Sequence, residues 1–163
     1  MSILGVSGGD EKSDKILDAM LDLAPEYGAL YLRKYNLNQY DKWNEIEAVK
    51  NELYAAKKIA FVSPADSFLM WYFAEQFQSY FKPMELKGTK AAIITLGDEE
   101  KYKRRVLSLN LLCSNAGIEV TDRFVIPYKQ IGKEKEGYII EPAAKEQLEK
   151  TARKLFGVRK SSS

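Results

Sequence analysis

The sequence predicts an α/β fold in which five parallel strands form a doubly wound sheet between two layers of helices, three layers in all. Apolar runs of strand length alternate with stretches of helical period along the 163 residues. The run Ile59–Val62 is apolar at every position, which is typical of a central parallel strand covered on both faces. No repeat, low-complexity tract or linker interrupts the alternation. We therefore expect one domain over residues 1–157 and a frayed tail over 158–163.

The first half of the chain supplies two strands and two helices ahead of that central strand. A short apolar run over Ser2–Val6 precedes a helix whose apolar stripe extends from Ile16 to Ala24. Strict alternation over 29–33 indicates a half-covered edge strand. A polar stretch over 36–42 then leads to a second helix over 46–56.

The second half continues the same alternation. An aromatic helix is predicted over Asp66–Phe81 and a fourth strand over Ala91–Thr95. Asp98 is placed to cap the next helix, and Gly117 is placed to end it.

The last third of the chain completes the sheet. A fifth strand over Ile118–Ile126 is expected to bend around Thr121-Asp122, and a charged loop follows over Lys129–Gly137. Pro142 is placed to open a final helix that ends near Gly157.

Composition excludes much of the chemistry that enzymes use. The chain has no histidine and a single cysteine, Cys113, so a Ser-His-Asp triad, a Cys-His pair and a histidine-ligated metal are impossible within it. One thiol forms neither an intrachain disulfide nor a cysteine-ligated iron–sulfur cluster. Cys113 lies on the apolar face of its helix, which favours an inert core residue. Any activity must therefore use carboxylates, amines, hydroxyls, backbone groups or a bound cofactor. We predict no metal site and assign no catalytic side chain.

Charge and hydropathy restrict the partners. Lys and Arg total 25 against 23 Asp and Glu, and this net charge of +2 gives no general reason to bind nucleic acid. We interpret the Lys101–Arg105 cluster as a solvated helix face. The longest apolar-rich run, Phe68–Ala74, is too short to cross a bilayer, so no membrane partner is expected. With one cysteine and no export signal, the protein is expected in a reducing cytoplasm.

Three loops follow strands in a way that favours a binding site. In doubly wound sheets, ligands bind at the carboxyl ends of the strands where the strand order reverses. The loops at that edge are loop 1 (residues 7–13), loop 2 (63–67) and loop 3 (95–100).

Loop 1 has two interpretations that the sequence leaves nearly balanced. Its glycines let the backbone approach a ligand, and the helix that follows offers N–H groups to a phosphate, with Ser7 and Ser13 as hydroxyl donors. Asp10 and Glu11 stand where such an anion would bind. In the alternative, these carboxylates are themselves the anions that satisfy the helix N-terminus.

Loops 2 and 3 are also open to more than one interpretation. The helix after loop 2 is apolar nearly all round in its first turns, which indicates a core face on one side and a subunit interface on the other. Alternatively, Phe68 or Trp71 forms the wall of a site for a flat aromatic ligand. In loop 3, Thr95 offers a hydroxyl to a ligand and Gly97 allows a turn out of the sheet, while its acids most simply cap the next helix.

Several segments resemble one known family in order and spacing. Ile3–Gly9 followed by Ser13 is similar to the opening strand and phosphate loop of flavodoxin-like NAD(P)H-dependent FMN reductases. Ile59–Pro64 resembles their third strand, Leu86–Thr95 the segment into their fourth, and Ala116–Pro127 their last strand. The resemblance covers nearly the whole chain and implies the flavodoxin-like strand order 2-1-3-4-5.

The resemblance also implies a function and a set of site residues. It implies an FMN-binding oxidoreductase that transfers a hydride from NAD(P)H to the flavin and then to a small-molecule electron acceptor, and a homodimer formed through the helix that starts near Phe68. The residues that it carries over fall into three groups: phosphate contacts Ser7, Gly8, Gly9 and Ser13; ring contacts Ser63, Pro64 and Ala65; and the weaker contacts Thr95 and Gly97.

Two departures from the family pattern support a second hypothesis. Asp10 and Glu11 replace an arginine of the phosphate loop, and Pro64-Ala-Asp-Ser67 lacks the tyrosine and asparagine of the family's ring loop. These departures favour a flavodoxin-like binding or assembly protein without FMN.

Overall fold

The computed structural model of the chain describes residues 3–34, 43–134 and 137–157. The whole polar stretch 36–42 lies outside the described residues, and so does the tail 158–163, which the sequence predicts to be frayed.

Five parallel strands form the central sheet in the order β2-β1-β3-β4-β5, which confirms the predicted fold class and strand order. The strands are β1 (Ile3–Ser7), β2 (Gly28–Tyr31), β3 (Lys58–Pro64), β4 (Lys90–Leu96) and β5 (Glu119–Ile126). The order reverses between β1 and β3, so the loops after these two strands lie next to each other at the carboxyl edge.

Five α-helices cover the two faces of the sheet. They are α1 (Glu11–Leu21), α2 (Trp43–Ala55), α3 (Phe68–Tyr80), α4 (Lys103–Ala116) and α5 (Pro142–Phe156). Helices α2, α3 and α4 enclose one apolar core with the sheet, and α1 and α5 enclose the other. The middle strand β3 is apolar from Ile59 to Val62 because both of its faces are covered. Ile59 and Phe61 enter the first core, while Ala60 and Val62 enter the second.

The close packing of α1 on the sheet depends on a glycine in β1. A Cβ atom added to Gly5 would lie 2.8 Å from a methyl carbon of Leu17 and 2.8 Å from one of Leu21. The missing side chain lets α1 approach the strand, which brings the first turn of α1 up to the carboxyl edge.

Two local predictions near the fifth strand are confirmed. Gly117 ends α4 in the left-handed conformation, with φ of 83°, and the N–H of Ile118 donates to the carbonyl of Cys113. The register between β4 and β5 shifts between Ala91 and Ala92, so Thr121 is the extra residue of a bulge at the predicted bend.

Three local predictions are wrong: the start of α4, the end of α1 and the loop after β5. Helix α4 begins at Lys103 without a side-chain cap, because Asp98 instead accepts a hydrogen bond from the backbone N–H of Lys101 at 3.2 Å. Helix α1 ends at Leu21 rather than at Ala24, whose N–H bonds to the Leu21 carbonyl in a tighter turn.

The predicted charged loop after β5 contains two further strands. These are β6 (Ile131–Glu134) and β7 (Gly137–Ile140), which pair antiparallel outside the main sheet. Their charged residues are compatible with a two-stranded ribbon because backbone pairing, unlike core packing, does not require apolar side chains on both faces.

Helix α3 begins at Phe68, where the hydroxyl of Ser67 accepts the N–H of Met70 at 3.0 Å. Its core face is buried, whereas Phe68 is 51% exposed and stacks on Tyr72 with ring centroids 6.1 Å apart. Self-association through this helix stays a prediction. Within the described residues, no helix is long and apolar enough to cross a membrane.

Candidate functional site

Loops 1 and 2 are joined directly at the point where the strand order reverses. The N–H of Gly8 donates to the carbonyl of Val62 at 2.8 Å, and the hydroxyl of Ser67 donates to the carbonyl of Gly8. A Cβ atom on Gly8 would lie 2.3 Å from Oγ of Ser63. Gly8 and Ser63, both predicted as site residues, are thus brought into contact with each other.

The next residue, Gly9, also packs closely, in this case against helix α3. Its φ of 119° is a backbone conformation that favours glycine, and an added Cβ would lie 2.9 Å from a methyl carbon of Leu69 in α3. Loop 1 is therefore held against the first turn of α3.

Asp10 occupies the helix N-terminus that the sequence offers to a phosphate. Its Oδ1 accepts the backbone N–H of Ser13 and the Ser13 hydroxyl, each at 2.8 Å. This is an N-cap, and it takes the donors that a bound anion would use. Of the two interpretations of loop 1, the carboxylate cap is the arrangement in this structure.

Ser7 belongs to a second carboxylate network below loop 1. Its fully buried hydroxyl donates to Oδ1 of Asp14 at 2.5 Å, and Nε of Arg33 donates to Oδ2 of Asp14 at 2.6 Å. The hydrogen bond to Asp14 and its charge raise the pKa of Arg33. The arginine nearest to loop 1 in this network is thus paired with an internal carboxylate.

Loops 2 and 3 are linked by the backbone. The N–H of Ala65 donates to the carbonyl of Leu96 at 2.8 Å, and the hydroxyl of Ser63 bonds to the carbonyl of Pro64 at 2.9 Å. Thr95, the loop 3 hydroxyl predicted to contact a ligand, is 4% exposed.

A small pocket lies between these loops and the helices α3 and α4. Its walls include Ser63, Pro64, Thr95 and Trp71, and its volume is about 20 Å³, room for about one water molecule. Trp71 therefore borders a cavity too small for an aromatic ligand, and Phe68 lies on the exposed side of α3.

Tyr128 is a site residue that the sequence analysis missed. It lies just after β5, and its ring covers Gly97, whose φ is 93° and whose added Cβ would lie 2.4 Å from the ring. Nζ of Lys12 lies 4.8 Å from the centroid of the same ring. Burial raises the pKa of Tyr128 to about 12, with smaller contributions from the charges of Asp66 and Asp10.

An open groove runs along the carboxyl ends of β3 and β4, beside Tyr128. We call it the tyrosine groove; its volume is about 250 Å³, and its walls are Ala65, Asp66, Leu96, Asp98, Lys101, Tyr102 and Tyr128. Two aromatic rings and two apolar side chains make it suitable for a flat aromatic ligand.

A second surface groove continues from the first. It is formed by residues 100–105, has a volume of about 300 Å³ and shares Lys101 and Tyr102 with the tyrosine groove. We call it the basic groove, because lysine and arginine make up four of its six residues.

The nine predicted site residues therefore all lie at one edge of the sheet, but in two environments. Ser7, Gly8, Gly9 and Ser13 form a closely bonded region around internal carboxylates. Ser63, Pro64, Ala65, Thr95 and Gly97 lie toward the tyrosine groove and the small pocket. Their contacts with a ligand stay predictions.

Two other classes of site find no support among the described residues. Cys113 is 1% exposed, and burial raises the pKa of its thiol to about 12, so it is not a nucleophile at neutral pH. No group of three or more Cys, Asp or Glu side chains is arranged to hold a metal ion in the part of the chain that the structure describes.

Comparisons with known proteins add evidence on the fold. No protein-family model matches the chain, and no curated protein sequence matches it. Among solved structures, it is similar to the apo form of an NADH:FMN oxidoreductase, with a TM-score of 0.66 and 16% identity over 99% of this chain and 91% of that one.

Two further solved structures are similar to this chain in fold. A flavone reductase matches with a TM-score of 0.71 and 15% identity over 96% of this chain and 62% of that one. A flavodoxin from Streptococcus pneumonia TIGR4 matches with a TM-score of 0.58 and 16% identity over 96% of each chain. The chain has a flavodoxin-like fold. This confirms the resemblance in fold to flavodoxin-like reductases, and the tyrosine groove lies at the carboxyl edge of that fold.

Proposed function

We propose that this flavodoxin-like protein is a flavin-binding oxidoreductase, which takes a hydride from NADH or NADPH onto the flavin and passes it to a small-molecule acceptor. The tyrosine groove carries the proposal, because it offers an open, aromatic-walled space at the carboxyl ends of β3 and β4. The similarity in fold to an NADH:FMN oxidoreductase supports it.

The groove fits the ring of a flavin. Tyr102 and Tyr128 offer aromatic surface, Ala65 and Leu96 offer apolar surface, and Asp66, Asp98 and Lys101 offer polar groups at the rim. When bound, the flavin would supply the atom that accepts the hydride, which this histidine-free chain does not need to provide. Ser63, Pro64, Ala65, Thr95 and Gly97 are the proposed contacts of the ring region.

The phosphate group of FMN would fit loop 1 less well than the flavin ring would fit the tyrosine groove. In loop 1, the donors of Ser13 are held by Asp10, and the hydroxyl of Ser7 is held by Asp14. We propose Ser7, Gly8, Gly9 and Ser13 as the residues nearest to the polar end of the flavin. No step of the reaction depends on their binding a phosphate.

The basic groove supplies a place for the nicotinamide co-substrate. Helix α4 begins without a side-chain cap and has Lys103, Arg104 and Arg105 in its first turn, so both its dipole and its side chains favour an anion there. Lys103 is paired with Glu100 at 2.9 Å, and Arg105 donates to the carbonyl of Asp66. We propose that Lys101 and Arg104 contact the phosphates of NADH or NADPH.

Two further proposals concern the oligomeric state of the protein and its location in the cell. Phe68 is 51% exposed on an aromatic helix, which supports a homodimer through α3. Light scattering of the protein and of a Phe68→Ser variant tests this, since the variant is expected to be a monomer. The buried free thiol of Cys113 is compatible with a reducing, cytoplasmic location.

Titration with flavin tests the proposed function directly. Flavin added to the purified protein is expected to lose fluorescence and to shift its visible absorbance, and the loaded protein is expected to oxidise NADH or NADPH. Tyr128→Ala is expected to weaken flavin binding by roughly 2- to 12-fold, since one aromatic contact contributes about 0.5–1.5 kcal/mol.

Tyr27→Ala is the matched control. Tyr27 is 48% exposed and borders a groove with Ile3 and Gly28, at the opposite edge of the sheet. Its loss is expected to leave flavin binding unchanged. If neither riboflavin nor FMN changes its spectrum and NAD(P)H is not oxidised, the flavin proposal is wrong and the binding or assembly protein replaces it.

A further inference from the structure

We propose that loop 1 makes this protein select a flavin without a phosphate, such as riboflavin, over FMN. This inference rests on the proposed function, because it concerns which form of flavin the site accepts. It begins from the disagreement between the phosphate of FMN and the residues that the fold places beside it.

The first observation is that the loop already contains an anion. Oδ1 of Asp10 accepts both the N–H and the hydroxyl of Ser13 at 2.8 Å. An N-terminal N–H and a neighbouring serine hydroxyl are the donors that a bound phosphate uses. A phosphate can take them only by displacing the carboxylate, and it would then lie beside the displaced negative charge.

The second observation is that two cations near loop 1, Arg33 and Lys12, are engaged by other groups, whereas no described residue engages Lys15 on the exposed side of α1. Nε of Arg33 is bonded to Asp14 at 2.6 Å, and Nζ of Lys12 lies over the ring of Tyr128 at 4.8 Å from its centroid. Glu11 and Asp14 add further carboxylates to the first turn of α1. Compensation of a phosphate dianion by Arg33 or Lys12 would require these contacts to break, which leaves Lys15 as one cation against three carboxylates.

The third observation is that the Asp10 carboxylate suits a different ligand. An ionised carboxylate only accepts hydrogen bonds, so it repels phosphate oxygens and binds hydroxyl groups. The side chain of riboflavin carries hydroxyl groups and no charge. The tyrosine groove is next to loop 1, because Tyr128 forms one of its walls and Lys12 lies over the ring of Tyr128. A flavin ring in this groove would have loop 1 beside it.

The expected size of the selection follows from the repulsion of two unit charges. At a separation of ~6 Å, it weakens binding by roughly 3-fold at the dielectric constant of water and by roughly 100-fold at an effective constant of 20. Asp10 is partly buried, so a preference for riboflavin of about 10-fold is expected.

Fluorescence titrations of the purified protein with riboflavin and with FMN test the inference. Riboflavin is expected to bind about 10-fold more tightly than FMN at low salt. Raising the salt concentration is expected to strengthen FMN binding and to leave riboflavin binding unchanged, because salt screens the repulsion.

Two variants locate the effect. Asp10→Asn keeps an oxygen that caps α1 but removes the charge, so FMN binding is expected to strengthen about 10-fold while riboflavin binding changes by less than about 2-fold. Glu11→Gln is the matched control, because it removes one charge from the adjacent, exposed residue. It is expected to strengthen FMN binding by no more than about 3-fold, the effect of a charge in water, which is clearly less than that of Asp10→Asn. Circular dichroism checks that both variants fold.

Each outcome bears on a different statement. Tighter binding of FMN than of riboflavin by the unaltered protein, or an Asp10→Asn variant with unchanged FMN affinity, overturns the selection and leaves the flavin function in place. The absence of binding of both flavins overturns the proposed function and this inference together.

Discussion

Loop 1 and the tyrosine groove lie at the same edge of one sheet, but they differ in almost every physical property. Loop 1 is tightly packed, with backbone and hydroxyl donors bonded to neighbouring carbonyls and carboxylates. The tyrosine groove is open, with a volume of about 250 Å³ and two exposed or half-buried tyrosine rings. The sheet fixes where a ligand can lie, whereas the loop side chains determine which part of a ligand each region accepts.

Two of the helices that begin at this edge, α1 and α4, differ in the same way. Helix α1 begins with Asp10 as a bonded cap and has Glu11 and Asp14 in its first turn, so its dipole is satisfied from within. Helix α4 has no side-chain cap and only basic charges in its first turn. An external anion is therefore favoured at α4 and disfavoured at α1.

The largest effect on stability is expected at the contact between loops 1 and 2. Gly8→Ala would place a Cβ 2.3 Å from Oγ and 3.0 Å from the backbone Cα of Ser63, a contact that cannot relax without moving β3. We expect a loss of about 3 kcal/mol in the free energy of unfolding, measured by urea denaturation. Gly28→Ala is the control, since its Cβ would meet atoms no closer than 3.6 Å. Equal stability of the two variants would contradict the packed state of loop 1.

The buried carboxylate beneath loop 1 is expected to have the next largest effect. Asp14→Ala leaves the fully buried hydroxyl of Ser7 without its acceptor, at an expected cost of about 2 kcal/mol. Arg33 is 43% exposed in this pair, so its loss contributes little more. Combining the change with Ser7→Ala is expected to restore part of the stability in urea denaturation. Strict additivity of the two changes would argue against the network.

On the tyrosine side, a comparison of two glycines measures how tightly Tyr128 covers loop 3. Gly97 and Gly88 have similar backbone conformations, with φ of 93° and 98°, but a Cβ on Gly88 would meet nothing within 4 Å. Gly88→Ala is expected to lose about 1 kcal/mol from backbone strain alone. Gly97→Ala is expected to lose about 1 kcal/mol more and to shift the near-ultraviolet circular dichroism of tyrosine. Identical losses would mean that the ring moves freely.

The smallest effect is expected from the titration of Tyr128. Burial raises the pKa of its phenol from 10.0 to about 12, so the folded state favours the protonated form. The resulting stabilisation is fully present below pH 10 and is lost as the pH rises toward 12. Absorbance at 295 nm is expected to show one fewer late-titrating phenol in Tyr128→Phe. A wild-type curve identical to that of the variant would place Tyr128 in water.

The sequence was informative where local patterns act over short distances. The continuous apolar run of β3 predicted a strand between two cores, and Gly117 predicted the end of α4 because a left-handed residue was needed there. In loop 1, the sequence narrowed the choice to a phosphate cradle or a carboxylate cap. The position of Asp10 three residues before Ser13 fits a cap, but only the structure shows that both Ser13 donors are taken.

Features that depend on distant segments were missed. Tyr128 follows β5 in a stretch whose charges indicate a loop, and nothing local shows that its ring covers Gly97, 31 residues earlier. The parallel pairing of β4 with β5 was the available signal, because it brings the residues after both strands to the same edge. Asp98 was misassigned as a cap for a different, local reason, since a turn between 98 and 102 delays the start of α4.

The two-stranded ribbon of β6 and β7 follows Tyr128, the residue that covers one side of the tyrosine groove, and its described residues do not pair with the main sheet. Its base is fixed, because the N–H of Glu141 bonds to the carbonyl of Gln130 at 2.9 Å and Ile131 is buried in the core under α1 and α5. Tyr128 lies on the β5 side of this base, and β6 and β7 pair with each other rather than with the main sheet. Substitutions in the described ribbon residues beyond Ile131 are therefore expected to leave the tyrosine in place, so the ribbon can diverge in sequence without changing how the groove is covered.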